Sequence, residues 1–314
     1  MIPMRLFFFK SAIILFTSIF AIMSCKENNE VTGSSILVVE GWIDSNDFPI
    51  VKVTRSVQLG PDFVNISMLD KYVERWAKVT ISDGEKEIIM TGQYNKRYYP
   101  PFIYTTTFMR GEAGKTYHIT VDTPEGLHAE ANATIPFPTL IDSFKIEKVS
   151  DKDSVMCQLY GYTSYRGPCK VFTKVANQDT EFMTAYMGLY DSTMLSKNSC
   201  LAISRGRSGL EHDFTPYFKE GSTVYVKLST LTDEGYRYWR CFEDMTNLSN
   251  NPLFPVSTNM PSNIQDGLGY WMGYGTTTYR VDIQTGQTIR FNSATPTTCH
   301  YADSANSPTR QPAY

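Results

Sequence analysis

The sequence predicts a mainly β protein, in which an N-terminal immunoglobulin-like antiparallel β-sandwich is followed by a second β-rich domain with one amphipathic helix. Apolar and polar residues alternate over short runs between residues 35 and 135, which is the period of half-buried strands. Turn sequences such as Asp83-Gly84 separate these runs. The composition also favours strands, because the chain of 314 residues contains 20 Tyr and 18 Phe.

The N-terminal domain is predicted to span residues 35–137, as a sandwich whose strand connectivity the sequence leaves open. Its longer connections are Gly60–Glu74 and Tyr94–Phe102, and long loops on a rigid sandwich are where binding residues usually lie. Pro136 and Pro138 cannot both serve a central strand, so they predict a stiff linker after it. The predicted strands are Leu37–Ile43, Val51–Val57, Ala77–Ser82, Glu87–Met90, Phe102–Phe108, Thr116–Val121 and Leu127–Ile135.

The second domain is predicted to span residues 138–290, with strands that are longer and less regular. One segment breaks the β pattern, because large residues recur at helical spacing from Tyr238 to Leu248. We therefore expect an amphipathic helix over about Asp233–Leu248, with Thr230 or Thr232 as its N-terminal cap. The strands are expected around Phe144–Ile146, Val155–Leu159, Cys169–Val175, Phe182–Tyr190, Cys200–Ser204 and Val224–Leu228.

The two ends of the chain are predicted to lie outside these domains. Residues 1–24 have the features of a signal peptide, with Arg5 and Lys10 before an apolar run, Ser11–Met23, that is shorter than a membrane-spanning helix. Residues 291–314 are rich in Ser, Thr, Ala and Pro without periodicity, which predicts a disordered tail.

Cys25 follows the small residue Ser24 at the end of the apolar run, which is how a bacterial lipoprotein signal ends. The sequence therefore predicts cleavage before Cys25 and attachment of several acyl chains, because one chain alone binds a membrane only marginally. The alternative is an ordinary cleaved signal followed by an incidental cysteine. Residues 25–34 are then a lipidated tether.

The run Lys26, Glu27, Asn28, Asn29 and Glu30 directly after Cys25 is polar and partly acidic. It resembles the export signal of Bacteroidota lipoproteins, which would place the mature chain on the outer leaflet, facing outwards. The alternative is a solvated tether, since any anchored domain needs a polar spacer.

The formal charge of the predicted mature chain argues against a nucleic-acid-binding protein, and its cysteines define no fixed set of disulfides. Arg5 and Lys10 are the only charged residues of the signal, so their removal changes the formal net charge from −3 to −5, and no nucleic-acid partner is implied. The sequence leaves the pairing of the remaining cysteines open, with free thiols as the default and a bridge between Cys157 and Cys169 as an alternative. These cysteines are Cys157, Cys169, Cys200, Cys241 and Cys299.

No catalytic or metal-binding template is found in the sequence, so we expect neither an enzyme, nor a cofactor, nor a metal site. The only dense ionisable cluster is Glu211-His212-Asp213, whose neighbours point apart in an extended chain. The glycine-rich run Gly267–Gly275 opens no helix after a strand, so it is not a phosphate-binding loop. It is instead interpreted as a strand with rings over bare backbone. The histidines are scattered at His118, His128, His212 and His300.

Aromatic residues cluster at four places in the sequence. They are interpreted mainly as core and cross-strand residues, with platforms that stack sugars as the alternative. The segment Asn251–Gly275 is expected to form a long ordered loop that enters a strand near Leu268 and packs on the helix face bearing Trp239 and Phe242. This segment, with Trp271, is expected to cap the second core, and a partner-binding role is the alternative. The clusters are Tyr98-Tyr99, Tyr160–Tyr162, Tyr236–Trp239 and Tyr270–Tyr274.

The order of several short motifs over residues 35–275 resembles the Bacteroidota family known as domain-of-unknown-function family 4249. The motifs are Val38–Ile43, Val53–Ser56, Lys78–Gly84, Tyr238-Trp239, Asn251–Phe254, Pro261–Ile264 and Gly267–Tyr270. The resemblance implies an outer-membrane lipoprotein usually encoded beside a TonB-dependent receptor, without established activity or ligand residues.

These observations together predict a non-enzymatic outer-membrane lipoprotein, lipid-anchored at Cys25 and exposed at the cell surface. It is expected to be an accessory or ligand-capture subunit that acts with a TonB-dependent receptor. The alternative is a surface adhesion or structural module, because sandwich domains serve both purposes. The sequence identifies no ligand.

Overall fold

One eight-stranded sheet runs through the computed structural model of the chain and joins its two halves. The structure describes residues 36–56, 70–150, 154–197, 199–206, 214–248 and 260–291. Two further sheets, of four and five strands, cover opposite ends of one face of this large sheet. The prediction of a mainly β, sandwich-like fold is confirmed.

The first half of the chain contains eight strands. They are β1 (Leu37–Asp44), β2 (Ile50–Arg55), β3 (Lys78–Ser82), β4 (Glu87–Ile89), β5 (Thr91–Tyr94), β6 (Phe102–Thr105), β7 (Thr116–Asp122) and β8 (His128–Thr134).

The second half contains the remaining strands and two helices. They are β9 (Ser143–Ser150), β10 (Met156–Tyr162), β11 (Cys169–Val175), β12 (Met183–Tyr190), α1 (Ser192–Lys197), β13 (Cys200–Ile203), β14 (Phe218–Lys219), β15 (Thr223–Thr230), α2 (Asp233–Leu248), β16 (Gly267–Asp282) and β17 (Thr288–Arg290).

The large sheet has the strand order β12-β11-β15-β16-β1-β2-β6-β5. The four-stranded sheet, β4-β3-β7-β8, packs on its β1 end, and the core between them contains Leu37, Ile81 and Tyr117. The five-stranded sheet, whose main path is β13-β10-β9-β17, packs on its β15 end around Phe144 and Val226. Each layer pair buries one face of most strands, as the alternating sequence predicts.

Strand β16 connects the two sandwiches. Its first half pairs with β1 in parallel, from Leu37 opposite Gly267 to Asp44 opposite Tyr274. Its second half pairs with β15 in the antiparallel sense, ending with Thr223 opposite Asp282. All other strand pairs among the described residues, within each of the three sheets, are antiparallel.

Glycines in β16 let other backbone segments approach closely. A Cβ atom on Gly273 would lie 2.5 Å from the carbonyl oxygen of Thr134, and one on Gly275 would lie 2.2 Å from that of Pro136. The interpretation that rings cover the bare backbone of Gly267–Gly275 is wrong at Gly269, Gly273 and Gly275, because backbone atoms lie nearest to them. A ring of this run, Trp271, instead lies over Gly41 of β1, where a Cβ atom would lie 2.8 Å from it.

Most predicted elements are confirmed, and the helix has the predicted bounds, Asp233–Leu248. Thr232 is its cap, because its hydroxyl accepts a hydrogen bond of 3.1 Å from the Gly235 amide. Four short elements were not predicted. These are β5, β14, β17 and α1.

The segment before β16 packs differently from the prediction. Asn251–Asn259 lies outside the described residues, and residues 260–266 lie along β8 instead of on the helix. Ile264 belongs to the first core, and the Gln265 amide donates a hydrogen bond of 2.8 Å to the Glu130 carbonyl. The strand itself begins at Gly267, as predicted near Leu268, and its Tyr270 contacts the helix.

Several other predictions concern residues that the structure does not describe. These are the signal at 1–24, the tether at 25–34 with Cys25 and Lys26–Glu30, most of the Gly60–Glu74 loop, the Glu211–Asp213 cluster, and 292–314. The division into domains at 137 and 138 stays a prediction. Among the described cysteines, Cys157, Cys169, Cys200 and Cys241 are free thiols.

Candidate ligand-binding site

A cavity of about 760 Å³ lies on the face of the eight-stranded sheet that points away from both cores. Its volume falls within the range of small-molecule sites. The sheet forms its floor, helix α2 forms one wall, and the loop between β5 and β6 forms another. The cavity therefore draws residues from both halves of the chain.

Strand alternation explains which residues of β16 form the floor. Trp271 points into the first core, where its Nε1 donates a hydrogen bond of 3.0 Å to the Tyr117 carbonyl. Its neighbours Tyr270 and Met272, and Tyr274 beyond them, point to the opposite face and line the cavity. All three are largely buried, so they form a fixed apolar base.

Helix α2 contributes three aromatic rings to the wall, those of Tyr238, Trp239 and Phe242. The Tyr238 ring lies 4.5 Å from the Tyr270 ring between centroids. The Trp239 Nε1 donates a hydrogen bond of 2.9 Å to the Tyr274 hydroxyl. Because the indole nitrogen is satisfied, the ring of Trp239 is held in one orientation beside the cavity.

The helix is also fastened to the sheet by a charged pair. Lys170 of β11 is fully buried and forms a short salt bridge with Glu243 of α2. Burial lowers the pKa of Lys170, and the nearby carboxylate opposes that shift. The ammonium lies 4.9 Å from the centre of the Trp239 ring, so the pair also braces this ring.

The opposite wall is formed by β1 and the loop before β6. Trp42 projects from the outward face of β1, and the Tyr98 ring lies 5.9 Å from it between centroids, tilted by 53°. Both rings are half-buried, which leaves part of each facing the cavity. Arg97 next to Tyr98 forms a salt bridge of 3.4 Å with Glu181, which ties this loop to the second half.

Burial raises the pKa of four tyrosines around the cavity, and that of the enclosed Tyr274 lies well above its usual value. Tyr98, Tyr238 and Tyr270 each have a pKa of about 12, chiefly because the phenolate would lose its hydration. Their hydroxyl groups are therefore neutral near pH 7 and can both donate and accept hydrogen bonds.

Three of the four carboxylates that line the cavity have a cationic partner from the protein. Asp44 Oδ2 lies 2.8 Å from Lys227 Nζ, and Glu40 Oε2 lies 2.7 Å from Lys52 Nζ. The Lys227 ammonium also lies 5.0 Å from the centre of the Phe172 ring. The cavity thus presents aromatic surface together with these internal ion pairs.

Asp44 carries an unused hydrogen-bond acceptor. The residue is only 6% exposed, and its Oδ1 is buried without a partner among the described residues. Leaving such an atom unpaired costs about 1–3 kcal/mol or more for a charged group. An atom of this kind in a cavity is a place where a ligand donor would restore a hydrogen bond.

The structure brings together three of the four aromatic clusters predicted from the sequence. Residues of Tyr98-Tyr99, Tyr236–Trp239 and Tyr270–Tyr274 meet at the cavity, whereas Tyr160–Tyr162 lies on β10 in the five-stranded sheet. The predicted contact of Trp239 with the 270–274 segment is present, but Trp271 belongs to the first core.

Sequence reasoning missed four residues of the site, namely Trp42, Asp44, Phe172 and Lys227. The only available signal concerned the two rings. Trp42 and Phe172 lie on the polar side of an alternating strand, where a large ring is unexpected.

The remaining candidates for chemistry do not join this site. His118 and His128 lie on the four-stranded sheet, on the far side of the first core. Within the described ranges, no three His, Cys, Asp or Glu side chains come together as they would around a metal ion. None of the described helices combines the length and the apolar character needed to cross a membrane.

The fold and the cavity define a sandwich-like β protein with an aromatic cavity whose volume falls within the range of small-molecule sites. The model of the family "Domain of unknown function (DUF4249)" matches residues 26–280. Because this match covers most of the sequence, the chain belongs to that family, as the resemblance implied. No curated protein matches the sequence.

Proposed function

We propose that this protein is a non-enzymatic lipoprotein of the outer membrane that captures a small ligand for a TonB-dependent receptor. The observation that carries the proposal is the cavity of about 760 Å³, which is lined by aromatic rings from both halves of the chain. A preformed cavity with a few polar groups is the usual form of a small-molecule site. Anchoring at Cys25 and export through Lys26–Glu30 are supported by the sequence pattern.

Isolation of the native protein from detergent-solubilised outer membranes tests the receptor association. A β-barrel receptor recovered in stoichiometric amount supports capture for transport. Recovery of the protein without a receptor, combined with binding to host glycoproteins or matrix, would instead support the adhesion module.

Labelling with a fatty-acid analogue tests the anchor. The wild type should incorporate the label, whereas Cys25→Ala should remain unlabelled and leave the membrane fraction with its folded domains intact. A matched control is Cys241→Ala, which keeps Cys25 and should be labelled as the wild type is. Absence of label from the wild type would refute the prediction that this protein is a lipoprotein.

Protease treatment of intact cells tests surface display. Replacing Lys26–Glu30 by alanine should protect the protein from added protease, because the export signal is lost while Cys25 remains. Equal digestion of the variant and the wild type would show that this run serves only as a tether.

A further inference from the structure

The ligand class can be inferred from how the cavity distributes charge and aromatic surface, and this inference rests on the proposed capture function. Four carboxylates line the cavity, at Glu40, Asp44, Asp47 and Glu181, against two bases, Arg97 and Lys227. This acidic excess disfavours an anionic ligand, because like charges repel most strongly where water is excluded.

A cationic ligand is disfavoured by the protein's own cations. Lys227 lies 5.0 Å from the centre of the Phe172 ring and 5.2 Å from that of Phe182. These positions near the ring faces are the ones a ligand cation would need. Three of the four carboxylates that would attract it, Glu40, Asp44 and Glu181, are already paired with lysine or arginine.

The cavity nevertheless offers many hydrogen-bonding groups around its apolar surface. Asp44 retains an unpartnered acceptor, and the Tyr98 and Tyr238 hydroxyls are neutral donors and acceptors. A suitable ligand is therefore uncharged, has apolar faces that cover aromatic rings, and carries several hydroxyl groups at its edges. Sugars combine these three properties, because the CH groups of a pyranose form flat apolar faces and its hydroxyls project outwards.

We propose that the cavity binds a short neutral oligosaccharide, with sugar rings stacked on Trp42 and Tyr98 and hydroxyl groups bonded to Asp44 and its neighbours. The two rings are tilted by 53° at 5.9 Å, so they form an angled platform instead of one flat surface. Such a platform suits a bent or branched chain better than a flat one. Helix α2 would bound the other side of the ligand through Trp239.

The binding test uses the full-length protein in detergent with an array of neutral, acidic and amino oligosaccharides, followed by calorimetry with the glycans that bind. We expect neutral glycans to bind. Trp42→Ala and Tyr98→Ala should each raise the Kd about ten-fold or more through lost stacking surface. The two variants also protect the test, since either one alone suffices if the other fails to fold.

Matched controls are available nearby. Trp76 is 82% exposed and Tyr94 is 65% exposed, and neither lines the cavity. Trp76→Ala and Tyr94→Ala should therefore bind as the wild type does. The melting temperature of all four variants is measured and compared with that of the wild type. A loss of binding in a variant that keeps the wild-type melting temperature reports on the site and not on folding.

The outcomes separate the ligand class from the capture function. The proposal of a neutral oligosaccharide would be overturned by three results. These are binding of only acidic or only amino glycans, binding of no glycan, and an unchanged Kd in both cavity variants. A receptor that copurifies while no glycan binds would leave capture standing with another ligand. Neutral glycans that bind without any receptor would uphold this inference and refute the receptor association.

Discussion

Trp271 is the largest of the side chains that the described residues bury completely. It lies in the second half of the sequence but fills the core of the first sandwich. Asn263 holds its backbone from both sides, accepting from the Trp271 amide at 2.9 Å and donating to its carbonyl at 2.8 Å. One residue from the far end of the chain therefore completes the N-terminal core.

Trp271→Ala should lower the free energy of unfolding by about 3–5 kcal/mol, because it removes a large buried ring and leaves a cavity. Chemical denaturation followed by circular dichroism measures the change. The exposed residue gives the control, since Trp76→Ala should change the free energy of unfolding by less than about 0.5 kcal/mol. An unchanged melting temperature together with lost receptor association would show instead that Trp271 is a binding residue.

His128 provides a pH-dependent contribution to stability at the surface of the four-stranded sheet. Its Nδ1 lies 2.7 Å from Asp122 Oδ1, and this hydrogen bond is the main cause that raises the pKa of His128. The folded state therefore favours the protonated ring. This preference stabilises the folded state fully at a pH below about 6.5, the ordinary pKa of histidine. The stabilisation is lost as the pH rises through the higher pKa that His128 has in the folded state.

Asp122→Asn should lower the pKa of His128 toward its ordinary value, measured by NMR titration of the imidazole protons. Glu130→Gln should lower it less, because the Glu130 carboxylate lies 3.9 Å from Nε2 and makes only a weaker charge contact. The same His128 pKa in Asp122→Asn and the wild type would contradict this explanation.

At the scale of elements, β16 needs glycine at positions where other segments of backbone approach it too closely for a side chain. Gly273 faces the backbone around Thr134, and nothing there can move aside in the way a flexible side chain does. The first half of β16 can therefore lie against the end of β8 only while this position lacks a Cβ atom.

Gly273→Ala should destabilise the protein by about 1–3 kcal/mol through overpacking against the Thr134 carbonyl. Gly235→Ala in helix α2 is the matched control. There the nearest atom to an added Cβ is the Met272 sulfur at 3.3 Å, the end of a flexible side chain. That variant should be neutral or more stable, by less than about 1 kcal/mol. Equal thermal unfolding of both variants would refute the close approach at Gly273.

The elements that the sequence predicted well are those with a strong local period. Helix α2 was predicted with its bounds, because its apolar spacing and its Thr232 cap are both local signals. Strand β5 was missed because all four of its residues, Thr91–Tyr94, are exposed and show no apolar alternation. Helix α1 was missed because six residues span too few turns to show a helical period.

The site was less predictable than its parts. The aromatic clusters could be named from the sequence, but their meeting at one cavity depends on the pairing of β1 with β16. No local pattern encodes that pairing, since register between distant strands follows from the whole fold. The acceptor on Asp44 and the pairing of its other oxygen with Lys227 have the same origin.

At the scale of the whole molecule, the shared sheet should make the two sandwiches unfold together. Strand β16 contributes Trp271 to one core and Tyr279 to the other. If either sandwich unfolded, half of β16 would lose its partners, and the other sandwich also needs this strand.

We expect a single thermal transition, with a calorimetric enthalpy equal to the van't Hoff enthalpy. Tryptophan fluorescence should follow Trp271 of the first core together with Trp42 and Trp239 at the cavity, and far-ultraviolet circular dichroism should follow the whole molecule. The two curves should coincide. Trp271→Ala should shift both curves together. Two resolved transitions would show instead that the halves divided at residues 137 and 138 are independent.

The parallel pairing of β1 with β16 also constrains the order in which the chain can fold. Ser45 and Thr276, which are hydrogen-bonded beside this pair, are 231 residues apart in the sequence. Contacts over such distances form late, because closing a long loop costs entropy before the contact stabilises it. Synthesis proceeds from the N-terminus, so one edge of β1 stays unpaired until residue 267 has emerged. A chain truncated before that residue exposes this edge and lacks the central ring of its first core, which makes it prone to aggregation.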